Sequence, residues 1–352
     1  MSLTGTPFFV LLIVATAVCV AGTLVLWSRL RGPHTLRWLL RLVMIGLCQL
    51  TAISVVATWI NNDYGLYASW DDLLGKDNGA AVAMPGPPAD RAKFTHGDAG
   101  LLDTYFRGKH SQLSGQVIVW TPPQYNQPRY RHTRFPVVLL LHGVPGSPSS
   151  WLEHGGMPDD FQKLMNAGTS HPFILAMPVV DPGGVDTDCT DQPNRKVATW
   201  MAHDVPELIS HTFRTLPGPK GWGVMGFSTG GFCAARLPLA YPKVFGVGAA
   251  LDPDPLTGDT GVIDNPVSRE RTSPTYMVKH TTASVSLFLA TSAEDRLSPP
   301  HYIDQFAKAA AATRVQTQTM VLPDGGHNYN TWTRLYPAAF SFLSRHTTAP
   351  KG

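Results

Sequence analysis

The sequence has 352 residues, of which 43% are hydrophobic and 15% are charged, and its formal net charge is +3. This length is ample for a substantial core, and the composition suits a globular protein with an added apolar segment. The first 60 residues hold four Arg and no acidic residue, so the rest of the chain has 24 Lys and Arg against 25 Asp and Glu. That near balance excludes a strongly basic nucleic-acid-binding domain.

Two apolar stretches lie at the N-terminus. The first, residues 7–27, carries no charge, and the second, residues 38–60, carries only Arg41 near its start, where a long side chain can reach the membrane interface. Each stretch is long enough to cross a bilayer as a helix. Two such stretches joined by a short basic turn predict a transmembrane helical hairpin over residues 1–60 rather than two buried core helices.

Two other interpretations of this segment fit the sequence less well. A cleaved signal peptide begins with a basic region, yet no Lys or Arg precedes Arg29. Cys19 is a poor lipoprotein cysteine, because it lies deep in the apolar run and follows the bulky Val18.

The arginines predict the orientation of the hairpin. All four lie between the two apolar stretches or at the start of the second, whereas the residues after Ile60 include Asp63, Asp71 and Asp72. The positive-inside rule places the Arg-rich turn in the cytoplasm and sends both termini outward. We therefore expect a two-span protein of the cell membrane whose larger C-terminal part is extracytoplasmic.

The remaining chain divides by composition into a connector and one domain. Residues 61–110 are rich in Asp, Gly and Ala, and their Met84–Pro88 segment is incompatible with regular structure. Residues 111–352 alternate β-branched apolar runs with helical stretches, which predicts an α/β domain with a mostly parallel sheet and helices on both faces. The predicted strands are 116–120, 136–141, 174–180, 223–227, 246–251, 285–291 and 316–322, and the predicted helices are 159–167, 198–214, 230–241, 301–313 and 331–345.

A nucleophile motif lies between a predicted strand and a predicted helix. Gly226-Phe-Ser228-Thr-Gly230 has the pattern G-x-S-x-G, which in that context forms a tight turn with an exposed serine at its tip. Glycine is needed on both sides because side chains there would clash. The pattern predicts that Ser228 is a catalytic nucleophile.

A serine nucleophile needs a base that removes its proton. Of the 13 histidines, His327 is favoured because it follows the last predicted strand and a mobile Asp-Gly-Gly turn. His142, His154 and His203 are rivals. We interpret His142 as part of a structural turn and His203 as a helix residue.

The third member of the expected triad is an acid after the penultimate strand. Asp295 is favoured, and the adjacent Glu294 is a real alternative. The order nucleophile, acid, histidine along the chain is typical of the G-x-S-x-G hydrolases.

A tetrahedral oxyanion needs two hydrogen-bond donors. The N–H of Thr229, directly after the nucleophile, is the first candidate. The second is the N–H of Val144 in the turn after strand 136–141, since Pro145 has no N–H to donate.

These motifs together resemble the esterase D group of α/β-hydrolases, which includes S-formylglutathione hydrolases, feruloyl and enterochelin esterases, and actinobacterial mycolyltransferases. The resemblance covers residues 115–345. It is carried by Val117-Ile-Val-Trp-Thr-Pro122 with Tyr125, Val137-Val-Leu-Leu-Leu-His142-Gly, Gly226-Phe-Ser-Thr-Gly-Gly231 and Gly326-His327. It implies an α/β-hydrolase fold and acyl transfer from an ester or thioester to water or to an alcohol.

Three functions follow, in decreasing order of preference: an esterase acting on an acyl ester, with a lipid ester as one candidate; an acyltransferase that passes the acyl group to a sugar or lipid alcohol; and a non-catalytic binding protein on the same fold. We expect no cofactor and no metal. The exported cysteines, Cys189 and Cys233, are candidates for a disulfide. The aspartates near Cys189 (Asp181, Asp186, Asp188 and Asp191) match no calcium loop and are interpreted as a solvated loop.

Overall fold

The computed structural model describes residues 6–64, 93–97 and 100–351. The chain divides into two compact units, residues 1–78 and 79–352, and each is described separately. Most of the predicted connector, including Met84–Pro88, lies outside the described residues.

The first unit contains two long helices, α1 (Thr6–Leu26) and α2 (His34–Tyr64), which contact each other. Between them, Thr23 Oγ1 lies 3.4 Å from Cys48 Sγ, and Arg41 donates to the carbonyl oxygen of Trp27 at 3.3 Å. Both helices are long and apolar enough to cross a membrane, with hydropathies of 2.8 and 2.0, and none of either apolar window is buried. The structure thus differs from two buried core helices, in which most apolar side chains would be covered.

The second unit is built on a nine-stranded sheet in the order β1-β2-β3-β5-β4-β8-β9-β10-β11. The pairs from β5 to β11 are parallel, and those from β1 to β3 and between β3 and β5 are antiparallel. A separate ribbon pairs β6 with β7. The strands are β1 Thr95–His96, β2 Leu101–Arg107, β3 Ser114–Trp120, β4 Val137–Leu141, β5 Ile174–Pro178, β6 Asp191–Gln192, β7 Arg195–Lys196, β8 Trp222–Ser228, β9 Val247–Pro253, β10 Ser286–Ser292 and β11 Gln316–Leu322.

Helices cover both faces of this sheet because its central strands are apolar on both sides. Val138 and Leu140 of β4 belong to the core on one face, whereas Val137, Leu139 and Leu141 belong to the core on the other. The helices are α3 Ser150–Glu153, α4 Asp159–Asn166, α5 (Val197–Thr199, the π-helical turn Trp200–Asp204 and Val205–Thr212), α6 Thr229–Ala240, α7 Pro266–Thr272, α8 Pro274–His280, α9 His301–Ala310 and α10 Tyr329–His346. Short 3₁₀ turns occupy Pro123–Asn126, Pro128–Tyr130 and Pro219–Gly221.

The predicted fold class is confirmed, and three details differ. Strand β2 lies inside the range assigned to the connector, so the sheet begins earlier than the composition indicated. Helices α7 and α8 were not predicted; Asn265 and Ser273 cap them, and each has Pro at its first position. Helix α2 extends beyond residues 38–60 at both ends.

Candidate active site

The turn between β8 and α6 holds Ser228 in a strained conformation. Its φ of 57° and ψ of −126° are unusual for a residue with a side chain. A Cβ on Gly226 would collide with the backbone of Gly230, and one on Gly230 would collide with the backbone of Leu141. Both glycines are therefore required for the turn that presents Ser228 at the edge of the sheet.

The structure brings Ser228, His327 and Asp295 together from three loops at the carboxyl end of the parallel strands. His327 Nε2 lies 2.9 Å from Ser228 Oγ, and its Nδ1 lies 2.8 Å from Asp295 Oδ2. An N–H at Nδ1 donates to the carboxylate, which leaves Nε2 as the acceptor for the serine hydroxyl. This is the geometry of a nucleophile, its base and the group that orients the base.

The structure separates the two acid candidates. Asp295 is buried, and its Oδ1 accepts backbone N–H groups of Leu297 and Ser298 at 2.8 and 2.9 Å, so both carboxylate oxygens are engaged. Glu294 is exposed, and its carboxylate accepts a long 3.4 Å bond from Gly325 N. Of these two acids, only Asp295 is hydrogen-bonded to His327.

Electrostatics favour an ion pair between Asp295 and the protonated histidine. Burial lowers the pKa of His327, but the hydrogen bond to Asp295 and the charges of Asp295, Asp252 and Asp254 outweigh burial and raise it above the ordinary 6.5. Burial raises the pKa of Asp295, but the bond to His327 and the backbone N–H donors bring it below the ordinary 3.8. A protonated His327 is thus stabilised by the charge of Asp295.

The candidate oxyanion donors belong to the two segments that meet at Ser228. Thr229 is the first residue of α6 and is buried. The loop that carries Val144 approaches the serine closely, since a Cβ on Gly143 would lie 3.1 Å from Ser228 Cβ. The placement fits the roles expected of Thr229 and Val144 and leaves those roles as a prediction.

The sequence reasoning missed several carboxylates at this site. Asp254 Oδ1 lies 3.3 Å from Ser228 Oγ, whose proton points to His327, and Asp254 Oδ2 accepts a 2.7 Å hydrogen bond from Thr229 Oγ1. Asp186 Oδ2 accepts a longer bond of 3.4 Å from the same threonine hydroxyl. Asp188, expected in a solvated loop, is fully buried instead, and burial followed by the charges of Asp186 and Asp254 raises its pKa to about 8.

A fourth carboxylate, Asp252, ends β9 and lies beside the histidine. One carboxylate oxygen each of Asp252 and Asp295 and one ring nitrogen of His327 all lie within 4.8 Å of one another. Donor atoms so close could hold a metal ion, but both ring nitrogens of His327 are already hydrogen-bonded to Ser228 and Asp295. The available sequence signal was a run of polar residues directly after a buried strand, in Leu251-Asp-Pro-Asp254.

The rival histidines have other surroundings. His142 is fully buried; its Nε2 accepts the N–H of Val180 at 3.0 Å, so its Nδ1–H donates to the carbonyl oxygen of Gly143 at 2.7 Å. Burial lowers the pKa of His142 to about 4, which keeps this structural histidine neutral. His203 is exposed on the π-helical turn, and His154 packs against the Tyr329 ring.

Cys189 and Cys233 are joined by a disulfide, with Cα atoms 5.6 Å apart. The bond links the loop of Asp186 to the helix that begins directly after Ser228. Arg236, one turn further along α6, donates to the carbonyl oxygen of Cys189 at 2.8 Å and so holds the same loop. The two features fix the position of the acidic loop beside the serine.

Comparison with known proteins identifies the family. Residues 113–343, about two thirds of the chain, match the family model described as "Putative esterase". The chain belongs to this family. A Corynebacterium glutamicum protein of uncharacterized function is 30% identical over 134 residues, which are 37% of this chain and 30% of that protein. The match therefore spans about a third of the relative's length.

Solved structures of esterases share the fold. A ferulic acid esterase aligns with a TM-score of 0.60 at 20% identity, over 72% of this chain and 98% of that one. An S-formylglutathione hydrolase from Agrobacterium tumefaciens aligns with a TM-score of 0.57 at 16% identity, over 73% and 100%. The family and the fold together make this chain a serine hydrolase of the esterase class.

Proposed function

We propose that this esterase is anchored in the membrane by α1 and α2 and hydrolyses an acyl ester outside the cytoplasm, with Ser228 as nucleophile. The observation that carries the catalytic part is the hydrogen-bonded series from Ser228 Oγ through His327 to Asp295, with distances of 2.9 and 2.8 Å. A serine at the tip of a strained turn, with a buried histidine and carboxylate in line, is arranged for acyl transfer.

The reaction has two halves. His327 Nε2 takes the proton of Ser228 as Oγ attacks the ester carbonyl, and the N–H groups of Thr229 and Val144 stabilise the oxyanion. The same proton then passes from His327 to the leaving alcohol, which departs and leaves an acyl-enzyme. Asp295 keeps its charge throughout and stabilises the imidazolium. Water, activated by His327, releases the acid in the second half.

The membrane and topology proposals rest on the N-terminal helices and the disulfide. Both apolar windows are unburied, and four arginines lie either in the turn between the helices (Arg29 and Arg31) or in the first turns of α2 (Arg37 and Arg41), which favours a cytoplasmic turn. That orientation exports the catalytic domain, and its Cys189–Cys233 bond suits an oxidising compartment. Protease added to intact cells should digest the catalytic domain, and its protection until the membrane is opened would overturn the orientation.

The catalytic proposal is tested by covalent labelling and turnover. Wild-type protein in detergent should react with a fluorophosphonate and cleave chromogenic esters, and Ser228→Ala should lose both activities. Ser268→Ala on α7 removes an exposed serine hydroxyl and serves as the control. Turnover by Ser228→Ala at the wild-type rate would overturn the proposal.

The substrate is addressed by the same assay. A panel of esters of increasing acyl length tests for a lipid-like acyl group, since longer chains bury more apolar area in an acyl pocket. Adding a sugar or lipid alcohol distinguishes hydrolysis from transfer. Release of free acid alone supports the esterase, whereas acylation of the alcohol at the expense of acid supports an acyltransferase using the same Ser228.

A further inference from the structure

Asp252 is a buried carboxylate at the end of β9 to which the triad mechanism gives no role. None of its surface is exposed, and its φ of 40° is in the left-handed region that residues with side chains seldom occupy. Such strain is unfavourable and is concentrated at functional sites. A residue retained in this conformation is a candidate for a role in the reaction.

One oxygen of the carboxylate accepts a hydrogen bond, and the other has no hydrogen-bond partner. Trp332 Nε1 donates to Asp252 Oδ2 at 2.7 Å, whereas Asp252 Oδ1 is buried without a hydrogen-bond partner. A buried, unpaired carboxylate oxygen destabilises a fold. Hydrogen bonding to Trp332 alone does not explain why an acid occupies this position, because a neutral amide would accept the same bond.

Trp332 also fixes the position of Asp252 relative to the catalytic histidine. Its ring contacts that of His327 edge-on, with centroids 5.3 Å apart, and stacks on Phe227, the residue before the nucleophile, at 4.2 Å. The same indole therefore contacts His327 through its ring and Asp252 through its N–H. This arrangement keeps the second carboxylate within 4.8 Å of the His327–Asp295 pair.

We propose that Asp252 is a positioning residue that acts through His327, adding its negative charge to that of Asp295 to stabilise the imidazolium. The inference rests on the proposed function. No proton is transferred to Asp252: the proton moves from Ser228 Oγ to His327 Nε2 and then to the leaving alcohol. When the Asp295 carboxylate is removed, Asp252 and Asp254 are the acids left beside the histidine.

The charges around His327 support this role. The acidic groups that face it are Asp295 after β10, Asp252 at the end of β9 and Asp254 two residues further, and all three raise the pKa of His327. Burial and then the charge of Asp295 raise the pKa of Asp252 itself to about 7. Asp252 thus becomes charged near neutral pH.

The test is a pH profile of kcat/KM on a chromogenic ester for wild type, Asp252→Asn, Asp295→Asn and the double variant, all as full-length protein. Asp252→Asn keeps an acceptor for Trp332 and removes only the charge. The acid limb of its profile, where kcat/KM rises with pH as His327 loses its proton, should move to lower pH by about one unit. This is the shift expected when a charge 4–6 Å away is lost. In the Asp295→Asn background the same change should lower kcat at least about tenfold more than in wild type.

Asp204→Asn is the matched control. Asp204 is also buried, but it accepts hydrogen bonds from the backbone of His110 and Ser111, so its loss should lower thermal stability without moving the acid limb. If Asp252→Asn fails to fold, Trp332→Phe is the second variant. It keeps an aromatic ring but removes the N–H that donates to the Asp252 carboxylate, and it should shift the acid limb in the same direction.

The inference is overturned if Asp252→Asn keeps the wild-type acid limb and costs no more in the Asp295→Asn background than alone. In that outcome Ser228→Ala is still inactive and wild type still active, so the proposed function stands. Turnover by Ser228→Ala at the wild-type rate would instead remove the proposed function itself.

Discussion

Removing the Cys189–Cys233 disulfide should destabilise the catalytic domain substantially. The bond closes a loop with a sequence separation of 44 residues. Loop-closure entropy for a loop of this size is worth about 4 kcal/mol at 25 °C. For a domain of roughly 250 residues, that loss should lower Tm by roughly 8–16 °C.

The measurement is thermal unfolding of full-length protein in detergent, followed by tryptophan fluorescence, with oxidised wild type compared with protein refolded in reductant. Both sulfurs are buried, so refolding is needed to expose the bond to reductant. The Cys189→Ala/Cys233→Ala variant should melt near the reduced wild type and should not respond to reductant. Cys19→Ala/Cys48→Ala removes the two free thiols of α1 and α2 and should behave like wild type.

Activity should fall with stability, because the bond also holds the loop of Asp186 against the start of α6. Reduced protein below its melting temperature should therefore lose turnover more than the Cys19→Ala/Cys48→Ala control does. If reduction lowered the free energy of unfolding by less than about 1 kcal/mol, the loop-closure reasoning would be refuted. Breaking the disulfide would then not have freed the unfolded chain.

Three further predictions concern charge. Asp295→Asn should lower kcat by roughly 10²–10⁴-fold, because the orientation and charge stabilisation of His327 are lost. Glu294→Gln should change kcat by less than about threefold. Ester hydrolysis at saturating substrate measures both effects. Since the pKa of His327 is raised and the base must be neutral, kcat/KM should increase with pH through an apparent pKa above 6.5, which a pH–rate profile checks. Burial raises the pKa of Asp188 from 3.8 to about 8, so the folded state loses stability as pH rises through this range. Asp188→Asn should therefore raise Tm at pH 9, corresponding to at most about 6 kcal/mol in unfolding free energy, and should change Tm little at pH 4. The exposed Asp264→Asn should change Tm at neither pH.

Much of the sheet could be predicted because buried parallel strands have an unmistakable composition. Strand β11, Gln316–Leu322, has the predicted bounds, and β8 and β10 differ from theirs by one residue at each end. Strand β2 was missed because it mixes Asp103, Thr104 and Arg107 with its apolar residues. It pairs antiparallel at the outer part of the sheet and has only two buried positions.

The positions of Ser228 and His327 could be expected from local patterns, since the glycines around one and the strand before the other are readable in sequence. Glu294 and Asp295 could not be separated that way, because neighbouring residues of a loop point in different directions. The structure shows that Asp295 accepts from the backbone two and three residues ahead, a local turn that aims its other oxygen at His327. Asp252 and Asp254 were missed because nothing in a one-dimensional pattern relates β9 to the histidine loop.

The order of the elements along the chain has a consequence for biogenesis. Helices α1 and α2 leave the ribosome before β4 and β8, which precede Ser228, and β10 and β11, with the acid and the histidine after them, follow later. Because β10 separates β9 from β11 in the sheet, His327 reaches Ser228 only after the last parallel strand has been added. The Ser228–His327–Asp295 arrangement is therefore complete only when the C-terminal part of the sheet has formed, so a chain arrested before β11 should not react with a fluorophosphonate.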